Sequence, residues 1–109
     1  MTNKEVYTRV EAMMREIMGL LSVESQVIRP LKGRLSMSFS QRDAYARLDS
    51  LYYDMQHEIR NLRTVRDAVG ALPATAACEA HYLEYIRSIG ERIATFRERL
   101  EQATFLAKH

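Results

Sequence analysis

Apolar residues recur in alternating steps of three and four along three long stretches of the chain, residues 6–31, 45–69 and 82–103. An α-helix turns once in about 3.6 residues, so this spacing draws one apolar line along the side of a helix. A charge interrupts the line twice, at Glu24 in the first stretch and at Arg66 in the second. The pattern therefore predicts three amphipathic helices, and a Glu24–Arg66 pair across two of them would fix their register.

Capping residues and helix breakers set the expected helix limits. Thr2 and Glu5 have the spacing of a capping box, and Pro30 disfavours helical geometry at the residue before it. These signals predict helix 1 at about 3–29, with a kinked continuation to Gly33 as the alternative. A connector of about 30–39 follows.

The later helices have similar signals. Ser40 with Asp43 is the expected N-cap of a second helix, with Phe39 packing onto Ala44. Gly70 and Pro73 end that helix, and Thr75 is the expected cap of the third. The predicted ranges are about 41–69 for helix 2 and about 76–107 for helix 3.

The fold class follows from helix number and connection length. The second connection is short, so helices 2 and 3 should form an antiparallel hairpin. We predict an all-α fold, namely one domain (1–109) that is an elongated antiparallel three-helix bundle with coiled-coil-like heptad packing. A homodimer is the expected assembly.

Composition narrows the class of protein. The 109 residues carry 16 Lys and Arg against 14 Asp and Glu, for a formal charge of +2. This balance makes nucleic acid an unlikely partner on charge alone. The single cysteine excludes a disulfide within the chain, and no signal peptide or membrane span is visible. We therefore expect a cytoplasmic protein.

Residues that could carry catalysis or bind a metal are few. Asp54 and His57 are three residues apart, as are Cys78 and His81. The distances of the two pairs from the predicted hairpin turn differ by roughly 9 Å along the helix axes, too far for one ion. We expect no metal, no cofactor and no enzyme activity, with Cys78 a small buried residue.

A second apolar stripe distinguishes helix 1. It consists of Tyr7, Met14, Leu21 and Ile28, each seven residues from the next. One interpretation is that helix 1 packs against both other helices and needs a wide apolar face. The other is that part of the stripe stays open and binds a helix of a partner protein or of a second copy.

The connector combines positive charge with apolar side chains. No acid lies between Glu24 and Asp43, and four bases do: Arg29, Lys32, Arg34 and Arg42. Leu35 and Phe39 are predicted to join the partner-binding surface. Alternatively, the connector folds its apolar residues over the end of the bundle, or its bases bind phosphate, an anionic lipid surface or an acidic partner.

Residues 20–63 resemble the FlgN-type flagellar export chaperones, which are small helical proteins. The resemblance rests on the following residues: Leu20, Leu21, Glu24, Ile28, Arg29 and Leu31, then Leu48, Leu51, Tyr52, Met55, Ile59, Leu62 and Arg63. It implies a cytoplasmic escort that holds the terminal helix of an exported filament protein, with helix 3 supplying much of the grip.

The sequence thus predicts a non-enzymatic helical module that binds a partner helix, in the manner of an export chaperone or adaptor. The alternative is a nucleic-acid- or anion-binding accessory protein that uses the basic segment 29–42.

Overall fold

The computed structural model describes all 109 residues and contains three helices and no β-strand. The helices are α1 (Asn3–Ile28), α2 (Phe39–Gly70) and α3 (Ala80–Ala107), and each packs against the other two. The molecule is a rod of 57 × 20 × 15 Å. The predicted all-α, three-helix, elongated fold is confirmed.

Contacts between side chains give the helix directions. Glu58 of α2 contacts Arg92 of α3, and Asp54, one turn earlier, contacts Arg99 further along α3. These two helices therefore run antiparallel. Tyr7 near the start of α1 packs on Gly70 at the end of α2, so α1 and α2 are antiparallel as well. The connector, residues 29–38, consequently lies at one end of the rod, and the segment 71–79 lies at the other.

The core is a single layer of side chains between three helices. Most of the predicted heptad residues are buried there, while Leu20, Val27, Tyr45 and Tyr82 pack on it and stay half-buried. The largest fully buried side chains are Met13, Ile17, Leu48, Leu51, Met55, Leu62 and Ile89. Burying a side chain of this size contributes roughly 1.5–3 kcal/mol, so these residues supply much of the driving force for folding.

The start of α2 differs from the prediction. Ser38, not Ser40, is the N-cap, because its hydroxyl accepts from the Gln41 N–H (3.1 Å) while the Gln41 side chain accepts from the Ser38 N–H (3.0 Å). Phe39 is exposed and does not cover Ala44. The Thr2–Glu5 capping box of α1 is confirmed.

The segment 71–79 is extended and wraps the start of α1. The predicted cap at Thr75 is wrong, since α3 begins only at Ala80 after the N-cap Glu79. Ala77 forms a β-bridge with Thr2, and the Asn3 side chain donates to the Pro73 carbonyl (2.8 Å). Cys78 is buried here, ahead of α3 and outside its first turn. These contacts join residues far apart in sequence, so local helix signals do not reveal them.

The chain beyond α1 keeps one distorted helical turn. α1 ends at Ile28, and the Lys32 N–H still donates to the Ile28 carbonyl (3.1 Å) across Pro30. Gly33 ends the turn with φ +93°, a left-handed conformation that glycine adopts without strain. The kinked continuation to Gly33 is therefore the correct alternative.

One buried charge ties α2 to α3. The Glu58 carboxylate is almost fully buried, accepts from Arg92 at 3.1 and 3.0 Å, and accepts from the Tyr85 hydroxyl at 3.3 Å. Burial and the nearby Glu58 charge raise the pKa of Tyr85, which therefore remains a hydrogen-bond donor at neutral pH.

We expect Arg92→Met to lower the free energy of unfolding by about 2 kcal/mol, because it leaves a buried carboxylate without its cation. Arg97→Met is the matched control. It breaks the Arg97–Glu16 pair, in which both side chains are substantially exposed, and should cost below about 1 kcal/mol. Urea unfolding at neutral pH measures both changes. Equal losses in the two variants would show that burial of Glu58 adds nothing.

Candidate functional site

Chemistry-bearing side chains are scattered over the rod. No group of three or more His, Cys, Asp or Glu side chains is placed to hold a metal ion. His81 lies against Glu79 at 3.3 Å, and His57 borders a different surface groove beside Glu58 and Arg92. The surfaces that remain for function are therefore those that bind rather than react.

The second stripe of α1 divides between core and surface. Met14 and Ile28 are buried, which corrects the idea that all four residues form an open face. Tyr7 and Leu21 are half-buried against the core. The stripe lies on the side of α1 that faces α2, as the Tyr7–Gly70 contact shows.

Two exposed residues extend this stripe across the boundary between α1 and α2. Met18 is eleven residues from Tyr7, and Tyr52 is eighteen residues from Gly70; both intervals are close to whole numbers of turns. Met18 (56% exposed) and Tyr52 (40% exposed) therefore lie along the line that begins at the Tyr7–Gly70 contact. We call Tyr7, Met18, Leu21 and Tyr52 the lateral seam. Sequence reasoning missed Met18 and Tyr52 as site residues, although the same periodicity places them.

The lateral seam ends in a groove at the 71–79 end. The groove has a volume of about 720 Å³ and is lined by Tyr7, Gly70 and Leu72, with Lys4 and Asp67 among its polar residues. Gly70 permits the close approach, since an added Cβ would lie 3.1 Å from the Tyr7 ring. The buried Asn3 also borders this groove, and its Oδ1 has no hydrogen-bond partner.

The opposite end of the rod carries the connector surface. We define it as Arg29, Lys32, Arg34, Leu35, Phe39 and Arg42, all of which are exposed. None of its four basic side chains makes an ion pair or hydrogen bond, whereas Asp43, the next acid along the chain, is held by Arg47 at 3.1 Å. Leu35 is fully exposed and Phe39 is 88% exposed. The expected folding of the connector over the bundle end is seen only for Leu31, which is buried, and Met37, which is half-buried.

Glu24 lies in the core layer near the connector. The predicted Glu24–Arg66 pair does not form, because Arg66 contacts Asp67 at 3.2 Å. Glu24 is 2% exposed and has no hydrogen bond or ion pair. Burial raises the pKa of the Glu24 carboxyl, and the charge of Asp49 adds to this, while Lys32 opposes it.

Comparison with protein-family models, curated proteins and solved structures gave no match. The FlgN-type resemblance consequently stays a prediction from residues 20–63. None of the three helices has a stretch long and apolar enough to cross a bilayer.

We expect Glu24→Gln to raise the free energy of unfolding at neutral pH. Because the pKa of Glu24 is higher in the folded protein than in the unfolded chain, its ionisation favours unfolding. The advantage of the variant should therefore vanish below the unfolded pKa of about 4.3 and grow as the pH rises through the folded pKa. Chemical unfolding across this pH range measures it.

A stabilisation of the same size at all pH values would contradict this explanation. Destabilisation at neutral pH would show instead that the Glu24 carboxylate gains more from Lys32 than burial costs it.

Proposed function

We propose that the protein is a non-enzymatic interaction module that binds an amphipathic helix of a partner protein along the lateral seam. The observation that carries this proposal is the aligned apolar edge: exposed Met18 and Tyr52 lie in line with half-buried Tyr7 and Leu21. A helix laid in the groove between two neighbours presents its own apolar residues at the same spacing. Flexible Met18 suits such a surface because its side chain adapts to different partners.

The size of the seam supports weak, reversible binding. Its four side chains are already partly covered, so complete burial would contribute about 3–6 kcal/mol, taking roughly half of the usual 1.5–3 kcal/mol for each. Ordering the partner helix offsets part of that gain. The balance suits an escort or adaptor that must release its partner, and a tighter complex needs further contacts along the rod.

An export-chaperone-like role agrees with this arrangement in one respect and differs in another. The resemblance to FlgN-type proteins implies a held terminal helix of an exported filament protein, gripped largely by the third helix. The apolar line of α3, including Ile89, Ile93 and Phe96, is buried in the core. Our proposal therefore assigns the grip to α1 and α2.

The assembly and setting are part of the same proposal. We expect coiled-coil-like packing along the heptad lines and a cytoplasmic location. The predicted homodimer, in which a second copy supplies the helix on the lateral seam, is the competing occupant. Light scattering separates the two, since only self-association doubles the mass in the absence of a partner.

Met18→Glu tests the lateral seam, because a carboxylate at this exposed position opposes burial of the apolar edge. Val23→Glu is the matched control: Val23 is 44% exposed and sits about 160° around α1 from Tyr7. The probe is a synthetic peptide of the terminal helix of a flagellar filament protein, with binding measured by calorimetry. We expect at least a tenfold loss of affinity for Met18→Glu and little change for Val23→Glu, with unchanged helicity.

Photo-crosslinkers at positions 18 and 23 extend the test to partners in the cell. Crosslinks to a protein from position 18 alone, confirmed by binding of the purified pair that Met18→Glu weakens, support the proposal. Crosslinks of equal strength from both positions contradict it, as does binding that Met18→Glu leaves intact.

The alternative function, nucleic-acid or anion binding, rests on the four unpaired bases of the connector surface. If these bases hold phosphates, affinity for duplex DNA must fall steeply with salt, and Arg34→Glu must weaken it. Titration at two salt concentrations measures this. Binding that is absent at low salt would exclude the alternative.

A further inference from the structure

The connector surface differs from the rest of the rod in its charge. Elsewhere most basic side chains meet an acid, as in the ion pairs of Arg47, Arg66, Arg87, Arg92, Arg97 and Arg99. Across the connector no carboxylate is exposed between Ser25 and Arg42, and four unpaired bases are. The internal structure of the protein leaves this charge uncompensated, so it is available to an anionic partner.

The apolar residues of the connector are sorted into two pairs. Leu31 and Met37 turn inward and anchor the segment to the core, whereas Leu35 and Phe39 remain outside. The anchored residues, the turn at Gly33 and the Ser38 capping box fix the backbone on both sides of Leu35. The two outward side chains are therefore presented by an ordered turn.

The shape of this end excludes a bound peptide as the best fit. None of the principal surface grooves is lined by a residue of the span 29–42. A bound helix needs a groove, and fully exposed Leu35 stands out from the surface. Duplex DNA offers phosphates to the bases and leaves the apolar pair in water. A bilayer surface satisfies both features, because it deforms around protruding side chains and carries anionic headgroups.

We propose that the connector surface docks the rod end-on to an anionic lipid bilayer. Leu35 and Phe39 enter the boundary between headgroups and acyl chains, and Arg29, Lys32, Arg34 and Arg42 contact the anionic headgroups. Two apolar anchors combined with a basic cluster meet the requirement that peripheral membrane binding uses two signals. The lateral seam lies on the side of the rod, so this docking leaves it free and does not depend on the function proposed above.

Vesicle co-sedimentation tests the charge. The full chain should bind vesicles of phosphatidylcholine with phosphatidylserine at least ten times more strongly than phosphatidylcholine alone. Each base near the surface contributes about a fivefold gain, so Arg34→Glu should weaken binding more than tenfold. Arg63→Glu is the control, since Arg63 is also exposed and unpaired but lies along α2. Equal losses in both variants would show a response to net charge alone and overturn the proposal.

Tryptophan fluorescence tests insertion, because the natural chain contains no tryptophan. Leu35→Trp should shift its emission to the blue on phosphatidylserine vesicles and be quenched by bromine-labelled acyl chains. Tyr53→Trp, at an exposed site far from the connector, should show neither effect. Replacing Leu35 and Phe39 together by Ser should abolish sedimentation without changing helicity, since both are exposed.

Unshifted Leu35→Trp emission, or sedimentation that the double Ser variant retains, overturns the proposal. So does binding of duplex DNA or an acidic peptide in the absence of vesicle binding. Met18→Glu should leave vesicle binding unchanged, which separates this result from the fate of the lateral seam.

Discussion

A core only one side chain thick is the constraint on which the whole rod depends. Each helix contributes a single apolar line, and the three lines can leave water only by facing one another. With cross-sectional extents of 20 × 15 Å, no second layer exists to compensate for a defect. A polar group within the layer must therefore be paired or carry a cost. Glu58 meets this requirement through Arg92 and Tyr85, and Glu24, which has no partner, does not.

Heptad spacing predicted much of the core because one-sided burial leaves a direct trace in the sequence. Residues such as Met13, Met55 and Ile93 are buried where the spacing puts them. The Thr2–Glu5 box was equally readable, since both partners lie within one turn. Two candidate boxes near the start of α2 could not be separated by local pattern. The choice of Ser38 leaves Asp43 free to pair with Arg47.

Features that depend on distant parts of the chain escaped prediction. The extended segment 71–79 exists because it pairs with Thr2 and Asn3, some seventy residues away. The burial of Glu58 likewise depends on which flank of α2 meets α3. For the candidate sites the sequence identified the right surfaces but not their occupancy. It named Leu35 and Phe39, which are exposed, together with Met14 and Ile28, which are buried, because heptad spacing alone does not tell which side of a stripe a neighbour covers.

The turn between α1 and α2 also bears on whether two chains can exchange parts. Helical hairpins often swap a helix when their connecting segment straightens and merges the two helices into one. Here Pro30 lacks the amide hydrogen that a continuous helix needs, and Gly33 holds a left-handed conformation incompatible with one. Straightening would also expose Leu31 and undo the Ser38 cap. The connector thus favours closure of each chain upon itself and opposes intertwined dimers.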